Sequence, residues 1–271
     1  MPGFHADRPM KHRHHAEGME ERIAAQRVDA TGSFPLEESV AIEEPLSITL
    51  NGEPWITTMR TPGHDSDLIL GLLFTEGIIQ SPDHIHEMVV DNDNANITGK
   101  FSLDPPKHGF IRSSSCGICG IESLPSSEVG AISSDGFSIP ASGIDDLLSS
   151  LRSAQDVFDS TGGVHAVALF NPDGVITDIA EDVGRHNAMD KVIGRSLNDL
   201  PLADHGFLLS GRVSYEMVQK AVKAGAPCIV AIGAPTTLAV DLARQHGITL
   251  IGFARDKRFN VYAGAHRLKG T

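Results

Sequence analysis

From about residue 144 onward, short apolar runs alternate with helix-length amphipathic stretches, a rhythm best buried by a sheet covered with helices. A helix is expected over 144–158 and a buried strand over 164–170. Asn171-Pro172-Asp173-Gly174 supplies a turn, and 175–180 the second strand of that hairpin. Asp182 is placed to cap a helix running to about Gly194. Strands at 207–210, 228–232 and 248–253 alternate with helices at 215–224 and from Thr236 or Thr237 to Gly247. The run 248–253 is expected as the last core strand. Short βα connections with glycine at strand ends predict a mostly parallel sheet.

The chain before this region reads differently. Residues 1–33 are polar and lack apolar periodicity, so they are expected to be a disordered tail; His5, His12, His14 and His15 are scattered through it. Order is expected from Phe34. Val40, Ile42, Leu46, Ile48 and Leu50 alternate with polar residues, and Asn51-Gly52 is the favoured type I′ hairpin pair. Trp55, Thr57 and Met59 are expected to alternate on the return strand. Asp65 or Ser66 can cap a helix through Phe74 that stops at Gly77, and a strand near 86–90 precedes the DNDNAN turn. Residues 34–140 thus read as a small β-rich domain and 141–271 as an α/β domain. The Ser- and Gly-rich stretch 105–140 joins them as the expected mobile segment.

Composition excludes several classes. The formal net charge of −13 argues against a general nucleic-acid binder, which needs surplus cations. No apolar run approaches the roughly 20 residues of a membrane helix, and the N-terminus lacks a secretory h-region. Three cysteines do not suggest a disulfide framework, so a reducing, cytoplasmic setting is expected.

Two of those cysteines form Cys116-Gly117-Ile118-Cys119-Gly120 after three serines. Gly117 and Gly120 give backbone freedom and access, which an attacking thiolate requires. The spacing suits a redox pair or a sulfur-carrying pair about equally. A zinc site would need a second CxxC or a paired His motif, which His84, His86, His108 and Cys228 do not supply. Cys228, in the apolar run Pro227-Cys228-Ile229-Val230, reads as core.

Two further clusters carry polar chemistry. In EDVGRHNAMDK, at 181–191, Asp182, His186 and Asp190 recur every four residues and would share one helix face. His186 between carboxylates suits a base or an oriented donor, although capping and salt bridging explain the pattern at least as well. Arg185 and Asn187 open a helix at a strand end, where α/β sheets bind ligands; Gly162-Gly163 and Ser210-Gly211-Arg212 add small residues at other element ends. The second cluster, Phe253-Ala254-Arg255-Asp256-Lys257-Arg258-Phe259, follows the last core strand. It places three cations beside two aromatic rings, a pattern for phosphate and a fused-ring base, or else for a solvated turn.

A hairpin followed by alternating helices and strands also suits a cytidine-deaminase-like fold. The zinc motifs H-x-E and P-C-x-x-C are broken, however: Val167 follows His165 two residues on, and Ala231 stands where the second Cys belongs. Deamination is therefore excluded as the expected activity.

Together, EEPLSITLNG (43–52), SSCGICG (114–120), TGGVHAVALF (161–170), AEDVGRHNAMDKVIG (180–194), SGRVSYEMVQKA (210–221) and FARDKRFNVY (253–262) closely resemble the formate dehydrogenase accessory sulfurtransferase (FdhD) family. The resemblance implies a cytoplasmic homodimer with a deaminase-like α/β domain that lacks zinc ligands. It implies transfer of persulfide sulfur from a cysteine desulfurase to the molybdenum (or tungsten) bis-pyranopterin guanine dinucleotide cofactor, before that cofactor enters the formate dehydrogenase catalytic subunit. The cofactor would be an acceptor rather than a resident group, with GDP or GMP as its mimic. Carried over by motif, Cys116 bears the persulfide and Cys119 is its relay partner. Phe253, Ala254, Arg255, Asp256, Lys257 and Arg258 match the cofactor-binding stretch. A non-catalytic cofactor chaperone and a thiol–disulfide reductase are the competing readings; two reactive thiols speak against the first, and a requirement for a desulfurase would speak against the second.

Overall fold

A computed structural model describes residues 18–101, 110–112 and 136–270. Strands β1 (Glu20–Asp29) and β2 (Gly32–Ala41) form a two-stranded antiparallel ribbon. The tail expected through residue 33 is therefore strand from Glu20 on. Its apolar residues gave no burial signal because the ribbon stands in solvent: Ile23, Val28, Phe34 and Val40 are all exposed.

A five-stranded sheet follows, built from β3 (Glu44–Leu50), β4 (Glu53–Arg60), β5 (Ile85–Asp91), β6 (Asn94–Gly99) and β7 (Phe110–Arg112), in the order β5-β6-β3-β4-β7. Asn51 and Gly52 both take positive φ in the β3–β4 turn, as the type I′ pair requires. Register shifts between Ile48–Ile56 and Thr49–Pro54, leaving Trp55 as a bulge. The bulge reverses the expected phase of the return strand. Trp55 is buried, but so are Ile56, Thr58 and Arg60, whereas Thr57 and Met59 are only partly covered. Helix α1 (Asp65–Thr75) closes this core with Leu68, Ile69, Leu72 and Leu73. Asp65 does not cap it: the cap position is His64, in the left-handed region, and Asp65 instead forms a two-point ion pair with Arg60.

The second unit is a six-stranded sheet of β9 (His165–Phe170), β10 (Ile176–Asp182), β11 (Gly206–Leu209), β12 (Cys228–Ala231), β13 (Thr249–Arg255) and β14 (Arg258–Ala263). The order is β10-β9-β11-β12-β13-β14. It is mixed rather than mostly parallel: β11, β12 and β13 run together, while the β9–β10, β9–β11 and β13–β14 pairings are antiparallel. Helices α4 (Arg185–Arg195), α5 (Tyr215–Ala224) and α6 (Thr237–His246) cover one face. The other face is covered by α2 (Ile144–Ser153) and by the short pair β8 (Ile139–Pro140) and β15 (Leu268–Lys269). The single helix expected over 144–158 is broken at Ala154-Gln155, and α3 (Asp156–Thr161) begins anew, because Glu181 reaches across to accept the Val157 and Phe158 N–H groups at 2.9 Å each. Phe137 and Ile139 pack in the core of this second unit. Cys228 is fully buried in β12, and burial pushes its thiol up to about 12, so it is inert. Among the described residues no helix is long and apolar enough to cross a membrane.

Helices α1 and α4 join the two units, and they touch backbone to backbone. A Cβ on Gly71 would lie 1.9 Å from the Asp190 carbonyl oxygen, and one on Gly194 would lie 1.9 Å from that of Asp67.

Candidate functional site

The ends of β11, β12 and β13 and the starts of α4, α5 and α6 meet at one edge of the larger sheet. Antiparallel pairing brings the start of β9 and the end of β10 to the same edge, where Asp182 is paired with His165. His165, Arg185, Arg212 and Phe253 therefore lie at one edge although they are far apart in the sequence. A Cβ on Gly211 would sit 3.2 Å from the His165 ring, a tight approach, and 3.7 Å from the Arg185 side chain, an ordinary contact, so Gly211 lies beside both at the edge. Burial depresses the His165 pKa below its ordinary 6.5, and the Arg185 and Arg212 charges depress it further. A histidine with a depressed pKa holds less proton in the folded chain than in the unfolded chain as pH falls through that range. Stability should consequently fall as pH drops through about 6.5, because the unfolded state then binds the extra proton. Urea titrations of wild type and His165→Gln, run near neutrality and about one unit lower, check this; the variant should show the shallower pH dependence.

The 181–191 motif is divided among separate tasks. Asp182 ends β10 instead of capping α4, whose cap position is Gly184. It is wholly buried, and its carboxylate accepts from the Thr61 N–H at 3.2 Å, the Gly184 N–H at 2.8 Å, Asn187 Nδ2 at 3.0 Å and Lys191 Nζ at 2.8 Å. Asn187 Nδ2 also donates to the Met59 carbonyl at 2.7 Å, and Lys191 Nζ to the Thr61 carbonyl at 2.9 Å. Asp190, one helical turn beyond His186, accepts from Lys220 Nζ at 2.7 and 2.9 Å and from the Thr75 hydroxyl at 2.9 Å. The shared helix face expected for Asp182, His186 and Asp190 is thus not formed. His186 Nε2 instead faces Glu216 of α5 at 2.9 Å, with the Ser214 hydroxyl at 3.4 Å. Sequence reasoning missed Arg60, Thr61 and Lys220. The only available signal was a cation at the apolar phase of a strand or helix, as at Arg60 and Lys220.

Residues 253–258 are not a turn beyond the last strand. β13 continues to Arg255, Asp256 and Lys257 form a two-residue turn with both φ positive, and β14 returns from Arg258. A bulge sets Phe253-Ala254 against Phe259, and Phe253 itself takes φ 53°. Ala254 points into the core, whereas Phe253, Arg255, Asp256, Lys257 and Arg258 are exposed. The Arg255 guanidinium lies 6.0 Å from the Phe253 ring centroid.

Cys116 and Cys119 lie outside the described residues. The preceding described residue, Arg112, pairs with Thr58, whose hydroxyl donates to Asn187 Oδ1 at 3.3 Å. The strand leading to the thiol pair thus runs beside the contact that ties β4 to the start of α4. Among the described residues no three His, Cys, Asp or Glu side chains converge as a metal site.

Two interlocked sheets, one ending in a cation-lined edge, define a mixed α/β protein of the formate dehydrogenase accessory fold. A crystal structure of an accessory protein of that description from Desulfotalea psychrophila superimposes with a TM-score of 0.77 at 25% identity, covering 92% of this chain and 99% of its own. Residues 41–269 match the FdhD/NarQ family model, and the chain belongs to that family. Relatives named sulfur carrier protein FdhD include one from Streptomyces avermitilis, 43% identical over 85% of this chain and 89% of its own. Another, from Saccharolobus solfataricus, is 39% identical over 91% and 97%.

Proposed function

We propose that this chain is a sulfurtransferase relaying persulfide sulfur from a cysteine desulfurase to the molybdenum bis-pyranopterin guanine dinucleotide cofactor of formate dehydrogenase. The observation that carries the reading is the CxxC of a chain alike, over most of its length, to proteins named sulfur carriers. The Cys116 thiolate attacks the outer sulfur of the donor persulfide. A Cys116 Sγ–S bond forms, the donor S–S bond breaks, and the donor leaves as a thiolate. Cys119 then attacks Cys116 Sγ and delivers the outer sulfur as hydrosulfide to the cofactor metal. Two electrons pass from the thiols to that sulfur, leaving a Cys116–Cys119 disulfide that a dithiol reductant reopens.

The acceptor is a polyanion, and the edge bearing His165, Arg185 and Arg212 and three helix N-termini suits its phosphates. The 253–258 hairpin adds three exposed cations. The order β10-β9-β11-β12-β13, with a hairpin at one end of three parallel strands, supports reading the second unit as cytidine-deaminase-like. On this reading the protein works in the cytoplasm as a homodimer.

Intact-protein mass after incubation with a cysteine desulfurase and cysteine tests the relay. Wild type should gain a reducible adduct on the order of 32 Da per sulfur, and Cys116→Ala should gain none at an unchanged melting temperature. A folded wild type that gains no sulfur would leave the cofactor chaperone as the better account. An adduct that persists in Cys116→Ala and is lost in Cys119→Ala would exchange the two roles.

A further inference from the structure

Helices α4 and α5 are cross-linked twice along one seam. The inner pair joins Asp190 to Lys220 and is sealed in the core. The outer pair lies four residues back on each helix, where His186 Nε2 meets Glu216 at 2.9 Å and the Ser214 hydroxyl at 3.4 Å. Its side chains keep 11% and 14% of their surface exposed, so this pair reaches the solvent at the cation-lined edge. The inner pair already fastens the two helices, and the outer one adds little as a fastener because solvent screens it. Nor does His186 serve α4 itself. It is the second residue of that helix, and a helix N-terminus favours negative groups, as Glu216 is in α5. His165 feels the charges of Arg185, Arg212, Asp182 and His186, so the pair shares one electrostatic neighbourhood with the cations of the edge.

We propose that His186, oriented by Glu216, carries the proton of the acceptor step, taking it up as sulfur is discharged and giving it to the oxygen that sulfur displaces from the acceptor metal. The inference rests on the sulfur-relay reading above and names the group in that reaction which the thiols do not supply. Discharge turns a persulfide and a thiol into a disulfide, a hydrosulfide ion and one proton. The outer sulfur is reduced and the two thiol sulfurs are oxidised. At the acceptor, hydrosulfide and one proton replace a metal-bound oxo group by a sulfido group and release water, with the metal's oxidation state unchanged. One proton therefore leaves the first half of the reaction and enters the second, and one side chain that is base and then acid serves both. Such a histidine needs one ring nitrogen held and the other available. Glu216 holds Nε2, as a carboxylate fixes the imidazole of a hydrolytic triad, and Nδ1 is the nitrogen left for transfer. The neighbouring Arg185 and Arg212 suit the polyanion that would bring the acceptor to it.

The test is a single-turnover discharge by the full chain. Wild type and variants are loaded through a cysteine desulfurase and cysteine, freed of the donor, and mixed with the bis-pyranopterin guanine dinucleotide cofactor bearing a metal-bound oxo group. Mass spectrometry follows the loss of about 32 Da from the protein and the arrival of sulfur on the cofactor. Every variant should load as wild type does, because loading does not use this pair. His186→Gln can still donate to Glu216 but cannot take up a proton, and it should discharge roughly a hundredfold to ten-thousandfold more slowly. His186→Ala should be as slow and should recover in part with added imidazole, a rescue that a packing role would not give. Glu216→Ala should fall between them and gain nothing from imidazole, since its histidine is present but unheld. A His186→Gln that discharges at the wild-type rate, or a slow His186→Ala that imidazole leaves unchanged, would overturn the proton role and leave the relay intact. A wild type that takes up no sulfur would overturn both.

Discussion

Alanine at Gly71 or Gly194 should cost about 3 kcal/mol or more and lower the melting temperature by roughly 6 °C or more. Each new Cβ would stand 1.9 Å from a carbonyl oxygen of the facing helix, and backbone cannot swing aside as a side chain can. To admit the methyl group, α1 and α4 must separate. That motion also draws Thr75 away from Asp190 at one end of the contact and Asp67 away from Arg195 at the other, two contacts now at 2.9 Å each. Thermal melts of the two variants check the prediction. Alanine at Gly174, where the turn leaves open space around the Cβ position, is the comparison. It carries only the penalty of its positive φ, on the order of 1 kcal/mol. Equal melts for all three variants would mean that the helices do not meet so closely.

Asp182→Ala should be comparably severe, with a loss of about 3–5 kcal/mol. Four donors lose their acceptor at once, and Lys191 is left with its charge buried against a single carbonyl. Removing both charges is a different matter. In Asp182→Leu with Lys191→Met no cation is left buried at this position without its carboxylate, and part of the loss should return, because desolvating the pair offsets much of its attraction. Urea denaturation of the single and double variants measures that coupling. A single variant within about 0.5 kcal/mol of wild type would show that the ion pair is not sequestered from water. Either result bears on function, since Asp182 holds the Thr61 backbone against the start of α4, where the cation-lined edge begins.

Much of the second unit was legible in the sequence, because β9, β11, β12, α5 and α6 each announce themselves by local period, caps and glycine stops. Thr236, for example, caps α6 by accepting the Ala239 N–H. The family motifs were legible too, since a run such as EDVGRHNAMDK is specific as a string. Local pattern failed where a single extra residue changed phase. The Trp55 bulge moved Thr58 and Arg60 to the buried side, and the Phe253-Ala254 bulge shifted the register of the β13–β14 hairpin.

By itself the sequence determined which elements form, that the chain carries an accessible-looking thiol pair, and which residue types are available for an anionic acceptor. The tertiary structure alone decided their partners. Asp182 looked like a helix cap and became the anchor of another unit's backbone. His186 looked flanked by its own motif's carboxylates and found Glu216 on a neighbouring helix. Asp145 carried no signal until the β13–β14 hairpin closed a cavity over it. Periodicity and capping act over a few residues, whereas the His186–Glu216 pair and the Asp145 cavity are fixed by segments far apart in the chain packing face to face.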